Sequence, residues 1–297
     1  FYPNGDPTFD SRLLSYFGRI QYNYKEKYLF SALIRRDGST KFGPKNRFGY
    51  FPTASLGWVL SDESFLEDVS AISFLKLRTS FGILGNDRIP DYRYVSILNG
   101  EGEYVLNGEL VTGIALGTLS NPEIKWEQQE SFNIGVDARF LNNELIFTAD
   151  YFSRNTKDLL LVPDISGILG GTAPGSGAPI INGGDVKNTG FEFQLGYSKT
   201  FNDDMSFNIN YNFTTLENEV LKVDNSLGYI SGGAFGIGQS DVARMEVGMP
   251  IGYFHGLKTA GVFQNQSEVD AHPSQLALGA NAQPGDIRFV DVNNDGV

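Results

Sequence analysis

Between residues 131 and 140 the chain reads Ser-Phe-Asn-Ile-Gly-Val-Asp-Ala-Arg-Phe, apolar at every even position and polar, charged or glycine at every odd one. Successive side chains of a strand point to opposite faces, so this alternation describes a strand with one face in an apolar medium and the other in a polar one. Leu141-Asn142-Asn143-Glu144 reads as a tight turn, and 145–154 returns as a second strand. Each strand runs to about 10 residues, where about 5–6 is usual in soluble proteins and about 9–11 are needed to cross a bilayer at a tilt.

The unit recurs along the chain. Leu14, Tyr16, Gly18, Ile20, Tyr22 and Tyr24 alternate with Ser15, Phe17, Arg19, Gln21 and Asn23, and Lys25-Glu26-Lys27 turns the chain into a return strand over 28–36. A loop over 37–48 leads to Tyr50, Pro52, Ala54, Leu56, Trp58 and Leu60 on one face of a third strand. Ser64-Phe65-Leu66-Glu67 has the spacing of a capping box, which predicts one short helical turn before a fourth strand over 75–83. Long connections follow at 86–128, with a small hairpin expected at 104–111, and at 155–187. Strands are expected again at 191–197 and 205–214, joined by Asn202-Asp203-Asp204. From Glu217 the alternation dissolves into a Gly-rich tail with short strands expected near 251–257 and 287–290.

About eight long strands therefore alternate short turns with long loops. That asymmetry, with Tyr22, Tyr24, Tyr28 and Phe30 gathered at the short-turn end, is the pattern of an antiparallel transmembrane β-barrel segment: short periplasmic turns, long extracellular loops and an aromatic girdle at the lipid interface. The chain has no run of 18 apolar residues, so it offers no transmembrane helix, but barrel strands hide their hydrophobicity in alternation. A soluble antiparallel β-sandwich also alternates, with its apolar face turned inward. Periodicity alone leaves both open, and the second would be a soluble binding module, calcium-dependent if the carboxy-terminal loop described below holds a cation.

Composition narrows the chemistry. The net charge of −12 disfavours phosphate backbones, so no nucleic-acid partner is expected. With no cysteine there is no disulfide, thiolate zinc site or cysteine nucleophile. The sequence has no nucleophile elbow, phosphate-binding loop or His-Glu-x-x-His motif, and His255 and His272 lack partners at metal spacing. No carboxylate pair is placed for glycoside hydrolysis. No enzyme is expected.

The residues also resemble a known family. Phe17-Gly18-Arg19, Lys27-Tyr28-Leu29-Phe30, Arg36-Asp37-Gly38-Ser39, Phe51-Pro52-Thr53-Ala54-Ser55-Leu56-Gly57-Trp58, Leu75-Lys76-Leu77-Arg78, Asn188-Thr189-Gly190-Phe191-Glu192 and Pro284-Gly285-Asp286-Ile287 are similar to the barrel of SusC/RagA-type TonB-linked outer-membrane proteins. The resemblance spans essentially the whole chain. It implies a plugged barrel of about 22 strands in the outer membrane of a Gram-negative bacterium. It further implies import of oligosaccharides, or of peptides in a minority of members, beneath a SusD-like surface lipoprotein and driven by TonB-ExbB-ExbD. On this reading residues 1–297 are a partial barrel domain. The plug, the signal peptide, the TonB-contacting amino-terminal part and the closing strands lie outside it.

Asp291-Val292-Asn293-Asn294-Asp295-Gly296 matches positions 1, 3, 5 and 6 of a calcium loop, which makes Asp291, Asn293 and Asp295 candidate ligands for Ca2+. An Asx-rich surface turn is the plainer reading of the same residues. Asp137, Arg139, Glu192 and Gln194 fall on polar strand faces, where a barrel would direct them to the lumen or to one another. Tyr92, Tyr94, Tyr104, Trp126, Tyr229, Phe235 and Tyr253 lie in loops, where flat rings suit sugar faces.

Overall fold

The computed structural model describes residues 10–296 except 97, 164, 166, 167, 169–175, 226, 234, 235, 237–240, 280, 293 and 295. Phe235, Asn293 and Asp295 thus lie outside the described residues. The chain divides into two compact units, one of Phe1–Ile230 with Met245–Ile251 and one of Ser231–Arg244 with Gly252–Val297.

The first unit is built on one antiparallel sheet. Its strands are β1 (Leu13–Tyr24), β2 (Tyr28–Ser39), β3 (Phe48–Val59), β4 (Ile72–Asn86), β5 (Glu127–Phe140), β6 (Leu145–Lys157), β7 (Gly184–Asn202), β8 (Met205–Thr214) and β9 (Glu217–Val223). Strands β1 to β8 pair in chain order, and β9 pairs with the first part of β7. The expected long strands are all present. The loop expected over 37–48 is shorter, because β2 runs on to Ser39 and β3 begins at Phe48. The expected hairpin is longer, Leu98–Leu106 with Glu109–Leu116, turned by Asn107 and Gly108 at positive φ. The Gly-rich tail expected from Glu217 is corrected, since β9 carries on along β7 beyond an interruption at Thr215 and Leu216. The helical turn sits at Leu60–Asp62 rather than 64–67.

The register assembles the alternating residues into two continuous faces. One row on the apolar face runs Ile20, Ala32, Ala54, Phe81, Phe132, and another runs Phe30, Leu56, Thr79, Ile134, Tyr151, Phe191, all cross-strand partners. Nothing among the described residues packs a second layer on this face: Ile134 is 50% exposed and Phe132 41%. The β-sandwich reading fails on this point, because it needs those side chains in a packed core.

At the short-turn end Tyr24, Tyr28 and Trp58 are ladder partners on the apolar face, the Tyr28 ring lying 6.3 Å from both neighbours, stacked on Trp58 and tilted against Tyr24. The Tyr28 hydroxyl and the Trp58 indole Nε1–H both donate to Glu63 Oε1, at 2.7 and 3.0 Å. These bonds hold the Glu63 carboxyl below the usual carboxylate range, the tyrosine hydroxyl contributing most. They also anchor the connection to β4 at Glu63, which explains why it folds as single turns and not as a helix. The turn after β1 places Lys25 and Glu26 at positive φ, and the turn after β5 does the same with Leu141, Asn142 and Asn143.

At the other end the loops build their own core. Phe42, Phe51, Ile89, Ile124, Trp126 and Ile180 form one buried cluster drawn from three loops and β3. A smaller cluster of Val186, Val220 and Met245 packs beside β7 and β9.

The second unit is a set of short pieces. Ala243 and Arg244 pair with Tyr253 and Phe254, and Thr259–Val262 pairs with Ile287–Phe289. A single helical turn, Gln266–Asp270, is capped by Asn265, whose side chain accepts from Glu268 N–H. No helix of the described residues is long and apolar enough to cross a membrane.

Candidate functional site

The polar face carries the groups able to meet a hydrophilic ligand. Its central row places Gly57, Arg78, Gly135, Asp150, Glu192 and Thr214 side by side on six successive strands. Arg78 Nη2 donates to Asp150 Oδ2 at 2.6 Å and Nε donates to Asp137 Oδ2 at 3.0 Å. Arg78 and Asp150 are not on adjacent strands. They meet because Gly135 stands between them without a side chain: a Cβ there would collide with the Asp150 carboxylate and lie 3.0 Å from Arg78 Cζ. A planar, permanently charged guanidinium between two carboxylates is a fixed polar bridge across β4, β5 and β6.

Amides and hydroxyls surround this bridge. Asn133 Nδ2 donates to Ser80 Oγ at 3.3 Å and to Ser131 Oγ at 3.4 Å, and Asn210 donates to Asn208 at 2.7 Å. Glu192, Gln194, Asn212 and Thr214 line a recess with Thr148 and Asp150. Phe17, Leu29 and Leu33 are apolar exceptions on the same face.

Of the four residues expected here, Asp137 is held by Arg78, and Glu192 and Gln194 line the recess. Arg139 stands apart at the short-turn end with its guanidinium 5.2 Å from the Phe74 ring. Arg78, Gly135 and Asp150 act together through register, which residue types alone do not disclose.

Gly135→Val is expected to separate Asp150 from Arg78 and to destabilise the sheet by about 1–3 kcal/mol, the usual range for overpacking. The melting temperature of the full-length protein, followed by its heat-modifiable gel mobility, measures this. The double variant with Asp150→Ala should recover part of the loss, since the two changes share one cause.

Trp126 is corrected from a sugar-stacking candidate to a core residue. It is 5% exposed, its Nε1–H donates to Arg47 O at 3.1 Å, and its ring lies 5.0 Å from Phe42 and 5.3 Å from Phe51. Tyr104 stands out on its hairpin, 69% exposed. Tyr92 and Tyr94 lie 6.5 Å apart, the Tyr253 ring meets His255 edge-on, and Tyr229 O accepts from Asn225 Nδ2. His272 packs edge-on against Phe263.

In the carboxy-terminal loop Asp291 Oδ2 accepts from Gly296 N–H at 2.9 Å, with Asn294 at φ 57° and Gly296 at φ 86°. Asp291 Oδ1 is covered and has no hydrogen-bond partner. This is a turn that brings position 6 back onto the first carboxylate. Among the described residues no group of three His, Asp or Glu side chains is placed to hold a metal ion.

Comparisons with known proteins agree with the fold. The family model described as TonB dependent receptor-like, beta-barrel matches residues 1–286. The TonB-dependent receptor SusC of Bacteroides thetaiotaomicron is 34% identical over 228 residues, covering 74% of this chain and 22% of that protein. TonB-dependent receptor P39 of Formosa agariphila is 33% identical over 272 residues, covering 91% and 24%. Among solved structures, that of the RagAB peptide transporter aligns at TM-score 0.74 and 25% identity over 86% of this chain and 26% of its own. The chain thus spans about a quarter of the length of the relatives it matches. With strands of barrel length, an uncovered apolar face and a polar face bridged by ion pairs, this chain belongs to the TonB-dependent receptor-like β-barrel family.

Proposed function

We propose that this chain is barrel wall of a TonB-dependent outer-membrane importer, its apolar face against lipid and its polar face lining the lumen. The imported nutrient is an oligosaccharide, taken up beneath a SusD-like surface lipoprotein with energy delivered through TonB-ExbB-ExbD. The chain itself makes and breaks no bond. The observation that carries this reading is the two-faced sheet. Its apolar side chains are half exposed, whereas the opposite face presents Asn133, Ser80, Gln194, Asn212 and Thr214 around the Arg78 bridge. Neutral amides and hydroxyls match the hydroxyls of a sugar chain.

A second reading, import of oligopeptides, is supported by the likeness to the RagAB peptide transporter. The test is what copurifies with the full-length protein, extracted in mild detergent from its native outer membrane. A surface lipoprotein with bound glycan supports the first reading, and the same lipoprotein with mixed peptides supports the second. Recovery from the soluble fraction without detergent overturns both. The same proposal takes Asp291, Asn293 and Asp295 as a Ca2+ loop. Calorimetric titration with Ca2+, lost in Asp291→Ala, would support it, and no heat above buffer would remove it.

A further inference from the structure

We infer that the apolar face carries a binding site for a phosphorylated lipid headgroup at Arg36. The inference rests on the outer-membrane reading above. Arg36 is a charged residue among apolar neighbours: its ladder partners are Tyr16 on β1 and Tyr50 on β3, with Ile34 and Gly38 as its same-face neighbours along β2. A charge on a lipid-facing row needs a partner or a polar boundary.

The strand geometry supplies the boundary. Arg36 stands eight residues beyond Tyr28, the girdle residue at the short-turn end of the same strand. At about 3.4 Å per residue that is about 27 Å along the strand, and about 21 Å of depth at a tilt of about 40°. The apolar band of an outer-membrane barrel is about 25 Å tall. The guanidinium therefore reaches the headgroup level of the leaflet on the long-loop side, ringed by Tyr16, Phe48 and Tyr50 as a second aromatic girdle.

The guanidinium is also held in place. Its Cζ lies 3.9 Å from the centroid of Phe48 and 5.7 Å from that of Tyr50. The Phe48 ring can lie there because its ladder partner is Gly38, where a Cβ would come within 2.5 Å of the ring. Stacking fixes the plane of the fork and leaves its terminal Nη groups, not the covered Nε, to meet a tetrahedral anion.

No anion among the described residues answers it. Both strands that flank β2 are present, and among the described residues Arg36 makes no ion pair, while its Nε is covered without a hydrogen-bond partner. Two rows further out, beyond Leu14 and Gly38, is Arg12, joined to Thr40 by N–H bonds of 2.9 and 3.1 Å and ion-paired with Asp10 at 2.9 Å. The apolar surface below Arg36 is low, with Gly18, Ala32 and Ala54 beside Ile34 and Pro52, and so leaves room for an acyl chain. An unpaired, oriented guanidinium at the headgroup level above such a surface fits a phosphate monoester carried on a lipid.

The test uses the full-length protein, extracted from its native outer membrane and placed in phosphatidylcholine nanodiscs. These are doped with monophosphoryl lipid A or with its dephosphorylated form, and native mass spectrometry counts the lipid retained. The site predicts retention of the phosphorylated form at least about fivefold above the dephosphorylated one. Arg36→Gln should abolish the preference, Arg36→Lys should keep part of it, and inorganic phosphate at about 50 mM should leave it unchanged, because the chains contribute to binding. Equal retention of the two lipids by the wild-type protein overturns the site without any appeal to a variant. So does a preference that survives Arg36→Gln, or a second copy of the chain found docked on this face. Displacement by inorganic phosphate alone overturns the lipid as its source. Failure of the importer reading would look different, as protein that never enters the membrane fraction.

Discussion

Phe51→Ala is expected to open the loop end of the sheet, raising the rate of proteolytic nicking in the 87–126 segment by roughly a hundredfold or more. Phe51 is 2% exposed and lies at the centre of the loop core. Trp126 meets it edge-on at 5.3 Å, and the Arg35 guanidinium lies 5.6 Å from its ring. The space for the ring is made by Gly49 and Gly85, at each of which a Cβ would strike it. Truncating a buried phenylalanine costs about 3–5 kcal/mol where the site does not collapse. Because this cluster ties three loops onto the side of β3 and leaves the ladder bonds intact, that cost falls on local opening, so it multiplies the open population by the factor above. Limited proteolysis of the full-length protein in detergent measures it, with Phe51→Leu as the mild control. Unchanged nicking would mean that the loops are held by something other than this core.

The second large effect belongs to the face that meets lipid. Ile134→Arg is expected to destabilise the barrel by about 2–4 kcal/mol, the cost of a cation in the middle of the apolar band. Asn133→Arg, one residue away, should cost under about 1 kcal/mol, since its side chain points to the polar face beside Ser80 and Ser131. Folded protein recovered from the outer membrane, scored by its heat-modifiable mobility, compares the two. Equal losses would contradict the assignment of faces.

The strands and their faces were legible because period 2 survives any register: Ile134 shares a face with Val136 whatever strand lies alongside. The tight turns at Lys25-Glu26-Lys27 and at 141–144 were legible from the abrupt stop in alternation. Register was not, and the Arg78 bridge depends on it. Arg78 and Asp150 are 72 positions apart and touch only when β4, β5 and β6 align with Gly135 between them. The burial of Trp126 is hidden for a related reason. It sits in a polar loop, and the rings that bury it, Phe42 and Phe51, come from far upstream. The strand Glu217–Val223 is not legible because it keeps the register of β8 on β7 across Thr215 and Leu216 yet puts Glu217 and Glu219 on the face held by Tyr211 and Phe213; Thr215 N–H bonds to Phe191 O at the break, and its hydroxyl accepts from Phe191 N–H.

Which medium each face of the sheet meets separates a barrel wall from a packed sandwich. This chain has no cysteine, so single cysteines can be placed one at a time from Phe132 to Arg139, Gly135 excepted because a Cβ there strikes Asp150, in the full-length protein with any cysteine elsewhere replaced, and spin-labelled in bilayers. Collision rates with oxygen, which concentrates in lipid, and with a water-soluble nickel chelate then report each position. A period of two is expected, with oxygen dominant at Phe132, Ile134, Val136 and Ala138 and the chelate dominant at Asn133, Asp137 and Arg139. Even positions shielded from both reagents would place those side chains in a packed protein core and contradict it.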